Sequence, residues 1–247
     1  MLAVLSLRHD AVSLSAISRA TGVSRSQIRV WLATDEEELL ERHRSSGPCS
    51  APCPLLQDVD EFSYAYLLGE YLGDGCLAEH PRGVQRLRLS TCDDYPVIRQ
   101  ECISAIQAVM PGRAINIVQC EGSSEVSCYS KHWVCLFPQH APGRKHDRAI
   151  VLEPWQREMV IERHARPFLR GLIHSDGCRS LNRIVRGTKS YAYPRYFFSN
   201  RSDDIRGLFL EACAALGVDA RPNSWCSVSV ARRDSVARLD RFIGPKR

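Results

Sequence analysis

Two nine-residue stretches of this chain repeat one pattern: Leu67-Leu-Gly-Glu-Tyr-Leu-Gly-Asp-Gly75 and Leu169-Arg-Gly-Leu-Ile-His-Ser-Asp-Gly177, with Asp74 and Asp176 spaced 102 residues apart. The segments C-terminal to each stretch repeat as well. Strand-like segments lead to an acidic helix start, Asp93-Asp94 in one copy and Asp203-Asp204 in the other. Helices are expected over Tyr95 to Val109 and Ile205 to Leu216, where apolar residues recur at three- and four-residue spacing. Strands then fit Ala114 to Val118 with Val126 to Tyr129, and Val218 to Arg221 with Cys226 to Val230. A closing helix ends each copy, at about Pro154 to Arg163 and Asp234 to Phe242. The pattern predicts an α+β fold built as αββαββα twice, with half-repeats of about 58–163 and 164–247.

Within each stretch the small residues carry the packing argument. Gly69 and Gly73, and then Gly171 and Ser175, fall four apart on one helix face. Such pairs let two helix backbones approach closely. Gly75 and Gly177 are expected to stop each helix in a left-handed cap. Asp74 and Asp176 are therefore placed at the C-terminal ends of two touching helices. A carboxylate there costs about 0.3–1 kcal/mol, and two neighbouring carboxylates repel, so at least one should titrate above its usual range. Folding alone does not ask for this arrangement. A divalent cation reverses both effects, and Mg²⁺ held by one or two carboxylates plus phosphate oxygens is a common solution for phosphodiester cleavage. One Asp-Gly alone is an ordinary turn; two copies behind glycine-spaced helices point to a site.

The first 44 residues read as helices only. Leu14, Ile17 and Ala20 mark one apolar face, Thr21-Gly22-Val23 breaks the run, and Ser24 is a good N-cap for a helix from Arg25 to Leu32. Ser18, Gly22, Val23, Ile28 and Trp31 fall where a helix-turn-helix needs a small residue, a turn glycine and core anchors. The pattern resembles the bacterial helix-turn-helix, with Ser18 in place of the commoner alanine. Its second helix would present Arg25, Gln27 and Arg29 to base edges and phosphates. An acidic run, Asp35 to Glu38, and a Pro-rich stretch come next, giving a linker over 45–57 ahead of a larger domain at 58–247. Cys49 and Cys53 in that linker have the look of half a zinc knuckle, but the nearest candidate for the other half, His43, has irregular spacing, so two idle thiols are the favoured reading. His132, His140 and His146 offer no recognisable metal-ligand spacing.

The net charge of +5 says little until its distribution is seen. Between Arg166 and Arg206 nine Lys or Arg face three Asp, a local +6 that leaves about −1 for the rest. This clustering favours a polyanion partner over a merely solvated face, and Arg179, Arg183, Arg186, Lys189 and Arg195 are the candidate DNA contacts. The eleven cysteines, odd in number and without framework spacing, suggest reduced thiols in a cytoplasmic protein. No apolar run reaches 18 residues, so a membrane span is not expected. The opening MLAVLSLRHD lacks the basic start and cleavage site of a secretory signal.

The two repeated stretches look like the LAGLIDADG motif, and the resemblance to single-chain, two-motif LAGLIDADG homing endonucleases covers about Asp58 to the C-terminus. It implies a saddle of two four-stranded sheets that straddles a DNA major groove as a monomer. It also implies Mg²⁺-dependent double-strand cleavage, with Asp74 and Asp176 as both metal ligands and catalytic groups. Basic residues near the end of each last strand assist the chemistry in that family, and Lys131 and Arg232 occupy matching places. The resemblance extends to bacterial proteins that join such a domain to a helix-turn-helix, which suggests a cytoplasmic, nucleoid-associated protein. Glu70, Arg170 and His174 put polar groups where the motif is often apolar, and an outward-facing position is expected for them. The alternative is a transcriptional regulator that binds DNA or a partner without cutting; such regulators tend to lose the acid pair kept here. An RNA maturase is a weaker alternative, and an intein is not expected from ends without splicing nucleophiles.

Overall fold

The computed structural model describes residues 12–34, 49, 53–244 and 246. The acidic run 35–38 and most of the linker at 45–57 lie outside the described residues. The chain divides into two compact units, Met1–Pro52 and Cys53–Arg247.

The first unit contains α1 (Leu14–Thr21) and α2 (Arg25–Ala33). Ser13 and Ser24 cap them, each hydroxyl accepting a backbone N–H from the first turn, Ala16 and Gln27 respectively. Gly22 ends α1 at φ +69°, a left-handed conformation that costs glycine little. The Ser18 hydroxyl donates to the carbonyl of Val23 at 2.7 Å and so ties the turn to the helix before it. Ile17 and Ile28 are fully buried against one another, with Leu14, Val23 and Trp31 packed around them.

The second unit opens with α3 (Glu61–Leu72), whose N-cap Asp60 accepts from the Ser63 N–H at 2.7 Å. Two hairpins and a helix come next: β1 (Gly75–His80), β2 (Val84–Cys92), α4 (Pro96–Val109), β3 (Ile115–Cys120) and β4 (Ser123–Ser130). After the short α5 (Trp133–Leu136) comes α6 (Pro154–Arg157), which runs on as a π-helical turn over Glu158–Arg163 rather than as one α-helix. The second copy is α7 (Ala165–Asp176), β5 (Gly177–Arg186), β6 (Lys189–Ser199), α8 (Asp203–Ala215), β7 (Ala220–Ser224), β8 (Ser227–Val230) and α9 (Arg233–Asp240).

The two sheets have one topology, β1-β2-β4-β3 and β5-β6-β8-β7, with every neighbour antiparallel. One face of each sheet is apolar and closed by helices. Leu77, Leu87, Leu89 and Val126 are buried in the first, and Tyr196, Phe198, Val228 and Val230 in the second. These residues and the apolar faces of α3 and α7 form one continuous core, so the duplicated α+β architecture expected from the repeat is the one observed. Among the described residues no helix is long and apolar enough to cross a membrane.

α3 and α7 meet backbone to backbone. A Cβ on Gly69 would stand 2.6 Å from the carbonyl oxygen of Phe168, and one on Gly73 would overlap the side chain of Ser175. The small-residue face thus packs as expected. The reason for Gly75 and Gly177 differs from the expected cap. Gly177 has φ −111°, and neither residue is in the left-handed region. They are glycines for space: a Cβ would lie 2.5 Å from Tyr71 Cα at Gly75 and 2.8 Å from Ile173 Cα at Gly177. The expected outward position of Glu70 and His174 is also corrected, since both are buried, at 2% and 5% exposure. The tight helix pairing and α4 leave those positions no route to water.

Candidate active site

Because α3 and α7 share one interface, the residues at their ends converge. Asp176 is the last residue of α7 and Asp74 lies just past the end of α3. The carboxyl carbon of Asp176 lies only 3.2 Å from where a Cβ on Gly73 would be, so the absence of that atom makes room for the acid pair. Surrounding protein pushes the Asp176 carboxyl up to about 6, with Asp74 adding to the rise and its hydrogen bond from Asn200 opposing it. Asp74, part of whose side chain still meets solvent, is also raised, mainly by the protein around it, with Lys246 and Lys145 acting against the rise. The Asn200 amide donates to Asp176 at 2.5 Å, while its own oxygen accepts from the Ser202 N–H at 2.8 Å. That second bond fixes which way the amide points.

Two lysines complete the centre. Lys145 directs its ammonium at the end of α3, donating to the carbonyls of Leu72 at 2.9 Å and Gly73 at 2.7 Å, and to that of Tyr71. Three donors on three orphan carbonyls make it a side-chain cap of the helix, with the favourable sign for the helix dipole. Burial pulls this ammonium down to about 8, against the attraction of Asp176 and Asp74. Lys246 donates to the Ser175 carbonyl at 3.2 Å, one residue before the end of α7. It is lowered by burial and held up by Glu70, Asp74 and Asp176. A cleft of about 730 Å³ opens beside the pair, with Lys145, Asp176, Asn200 and Arg201 in its wall.

Beneath the site lies a buried polar cluster. The Tyr66 hydroxyl sits 3.1 Å from Nδ1 of His174, and Glu70 is 4.0 Å from the same nitrogen. Burial pushes Glu70 up to about 8 and His174 down to about 4. Burial thus works against charge on both groups. Arg170, which grips Glu101 with two nitrogens, adds to the depression of His174.

Asp74 and Asp176 come together as the repeat implied. Lys131 lies partly buried in the turn after β4, and the interactions of Arg232 are with Asp219 and Asp234. The lysines beside the carboxylates are Lys145 and Lys246, neither of which stands out in the sequence. The only signal for Lys145 is its basic loop, Gly143 to Arg148; for Lys246 there is none. Arg25, Gln27 and Arg29 are all exposed on α2.

The basic cluster on β5 and β6 is divided by strand register. In β6, Lys189 and Arg195 alternate with the buried Tyr196 and Phe198 and so lie on the sheet face away from the helices, whereas the side chain of Arg186 lies outside the described residues. Arg179 and Arg183 alternate to the other face. There Arg179 is bound to Asp240 at 2.8 and 3.0 Å, beside Tyr196. Arg195 lies over the Phe197 ring at 5.1 Å and donates to Ser229 at 3.0 Å. In the first sheet the corresponding face carries Arg86 and Arg88, both bridged to Glu125.

No family model matches this sequence, and no curated protein matches it. Solved structures do. A variant of the homing endonuclease I-DmoI, in complex with its target DNA in the presence of Mg, matches with TM-score 0.50 and 16% identity, over 74% of this chain and 96% of that one. A second I-DmoI variant, bound to its target DNA in the presence of Mn, gives 0.50 and 17%, over 74% and 94%. Full-length DUF199/WhiA from Thermatoga maritima matches more weakly, at 0.46 and 11%, over 83% and 61%. At these identities the likeness concerns the fold, and the duplicated α+β unit of this chain has the LAGLIDADG fold of I-DmoI.

Proposed function

We propose that this protein binds double-stranded DNA across its two sheets and hydrolyses a phosphodiester bond in each strand with the help of a divalent cation, Mg²⁺ by preference. One observation carries the reading: two carboxylates with raised titration are held together by helices that only glycine and serine allow to meet. The donor set fits a hard cation, since both groups offer oxygen and the cleft beside them is open for phosphate oxygens to complete the ligation. Asp74 and Asp176 would hold the metal, which when bound supplies Lewis-acid polarisation of the phosphate and a more acidic water.

The chain's own residues do the rest. Asn200 holds the Asp176 carboxylate in one orientation. Lys145 and Lys246 keep positive charge beside the position where an attacked phosphate gains negative charge. Lys131 and Arg232 remain proposed as basic groups near the strand ends that contact the phosphate. Lys189 and Arg195 would face the groove, and Arg25, Gln27 and Arg29 of the front unit, a helix-turn-helix in this reading, would add a second DNA contact. I-DmoI, similar in fold, is known in complex with DNA and with Mg or Mn, which supports the assignment.

A non-cleaving DNA-binding regulator is favoured by one specific observation. Lys145 and Lys246 already offset the charge of the acid pair, so the folded chain tolerates the pair without metal. Selection of cleaved sequences from a randomised duplex library with Mg²⁺ separates the two readings. The nuclease yields a defined cut site, whereas the regulator yields enriched but intact duplexes.

A further inference from the structure

We propose that Cys53, His132 and Cys135 form a structural Zn²⁺ site separate from the acid pair. The sulfur of Cys53 lies 3.4 Å from Nδ1 of His132, and the ligand atoms of Cys53, His132 and Cys135 all fall within 4.8 Å of one another. A tetrahedral zinc with Zn–S of about 2.3 Å and Zn–N of about 2.0–2.1 Å sets sulfur–nitrogen edges of about 3.6 Å and sulfur–sulfur edges of about 3.8 Å. The 3.4 Å sulfur–nitrogen separation is close to that edge, and the third ligand atom lies near enough to share an ion with the other two.

The local structure presents these groups in advance. The Cys135 N–H donates to the His132 carbonyl at 2.9 Å, a one-turn bond that puts residues three apart on the same side. Trp133, between them, is fully buried and its indole N–H donates to the Cys128 carbonyl at 3.0 Å, so the His-x-x-Cys turn is anchored in the core. Cys53 is 4% exposed and leads into a single 3-10 turn, where its carbonyl accepts from the Leu56 N–H at 3.0 Å. Cys49 stands in Cys-x-x-x-Cys spacing with Cys53, within the range that zinc-binding pairs use. Two soft thiolates and an imidazole select zinc over magnesium or calcium, which take oxygen ligands.

None of the three ligands lines the cleft beside the acid pair, so the ion is structural rather than catalytic. It fastens the segment eight residues ahead of α3 to the turn after β4, two points 79 residues apart in the chain. Lys131 is the residue before ligand His132, and the ion would hold that basic side chain at the end of the sheet.

Elemental analysis of the full chain, purified without chelators under reducing conditions, is expected to give about one zinc per molecule. The Asp74→Asn, Asp176→Asn double variant keeps that zinc, which separates this site from the acid pair. His132→Ala and Cys135→Ser lose it, and His132→Cys, which retains a ligand, keeps it. Since a variant can fail to fold, the second measurement uses the unaltered chain: Co²⁺ added to the stripped, reduced protein gives the visible spectrum of tetrahedral thiolate-bound cobalt. Absence of zinc together with absence of that spectrum overturns the proposal. So does a disulfide among these cysteines that persists through purification under reducing conditions, or zinc retained in folded His132→Ala.

Discussion

A Cβ placed on Gly171 would stand 2.2 Å from the carbonyl oxygen of Tyr66 on the facing helix, far closer than real Cβ atoms approach backbone. Both partners belong to helix backbones, so neither can swing aside. Gly171→Ala should therefore force α3 and α7 apart and cost about 1–3 kcal/mol or more, despite the better helix propensity of alanine. Gly207, inside α8, is the control, because a Cβ there meets nothing within 4 Å. Gly207→Ala should stabilise by about 0.5–1 kcal/mol. Denaturant melts of the two variants test the pair, and equal effects would contradict the close-approach account.

The acid pair makes stability depend on pH with a definite sign. Asp176 titrates near 6 in the folded chain, above the unfolded value of about 4. The folded state thus binds the proton more tightly, and the associated stability is present below about pH 4 and lost as pH rises through 6. Glu70, raised to about 8, extends the loss toward that pH. At pH 7 without metal, Asp176→Asn should raise stability by on the order of 1–2 kcal/mol, since the amide can still accept from Asn200. Mg²⁺ binding reverses the effect, stabilising the unaltered chain by RT ln(1 + [Mg²⁺]/Kd) and progressively less below pH 6. Melts at pH 5 and pH 7.5, with and without Mg²⁺ and with DNA present as well as absent, show whether the signs hold.

Strand register predicts which arginines meet DNA. Lys189→Ala and Arg195→Ala should each lower affinity and reduce the log–log salt slope by about 1. Arg179→Ala should leave the slope unchanged and instead lower stability, because its partner Asp240 loses a bidentate contact. A slope change for Arg179→Ala equal to that for Lys189→Ala would place the DNA on the wrong face.

The front unit gives a parallel expectation. Arg25→Ala, Arg29→Ala together should weaken binding to long DNA and reduce the slope by roughly 2, while cleavage of a short site at high concentration persists. Unchanged binding would assign these helices another role.

The duplicated α+β fold and the meeting of Asp74 with Asp176 were legible because both arise from local pattern: period, glycine spacing and a motif seen twice. Other features depend on contacts that no local pattern encodes. Lys145 reaches the site from a single 3-10 turn and Lys246 from irregular chain after α9, Glu70 and His174 are enclosed by a packing partner, and the zinc ligands join Cys53 to a turn 79 residues away. The charge count located a basic segment, but only the register of β5 with β6 divided Arg179 and Arg183 from Lys189 and Arg195. Gly75 and Gly177 were legible as required glycines, yet for a conformational reason where the structure has a steric one.

The most direct test of the metal-dependent site is cleavage of a selected duplex by the unaltered chain and by the Asp74→Asn, Asp176→Asn double variant, each with Mg²⁺ and with Ca²⁺ as a non-cleaving ion. The unaltered chain should make double-strand cuts with Mg²⁺ alone and hold the duplex intact with Ca²⁺, and the variant should bind but leave the duplex intact with either ion. Cleavage by the folded double variant at the unaltered rate, or tight binding by the unaltered chain with no Mg²⁺-dependent cut in any selected duplex, would contradict it.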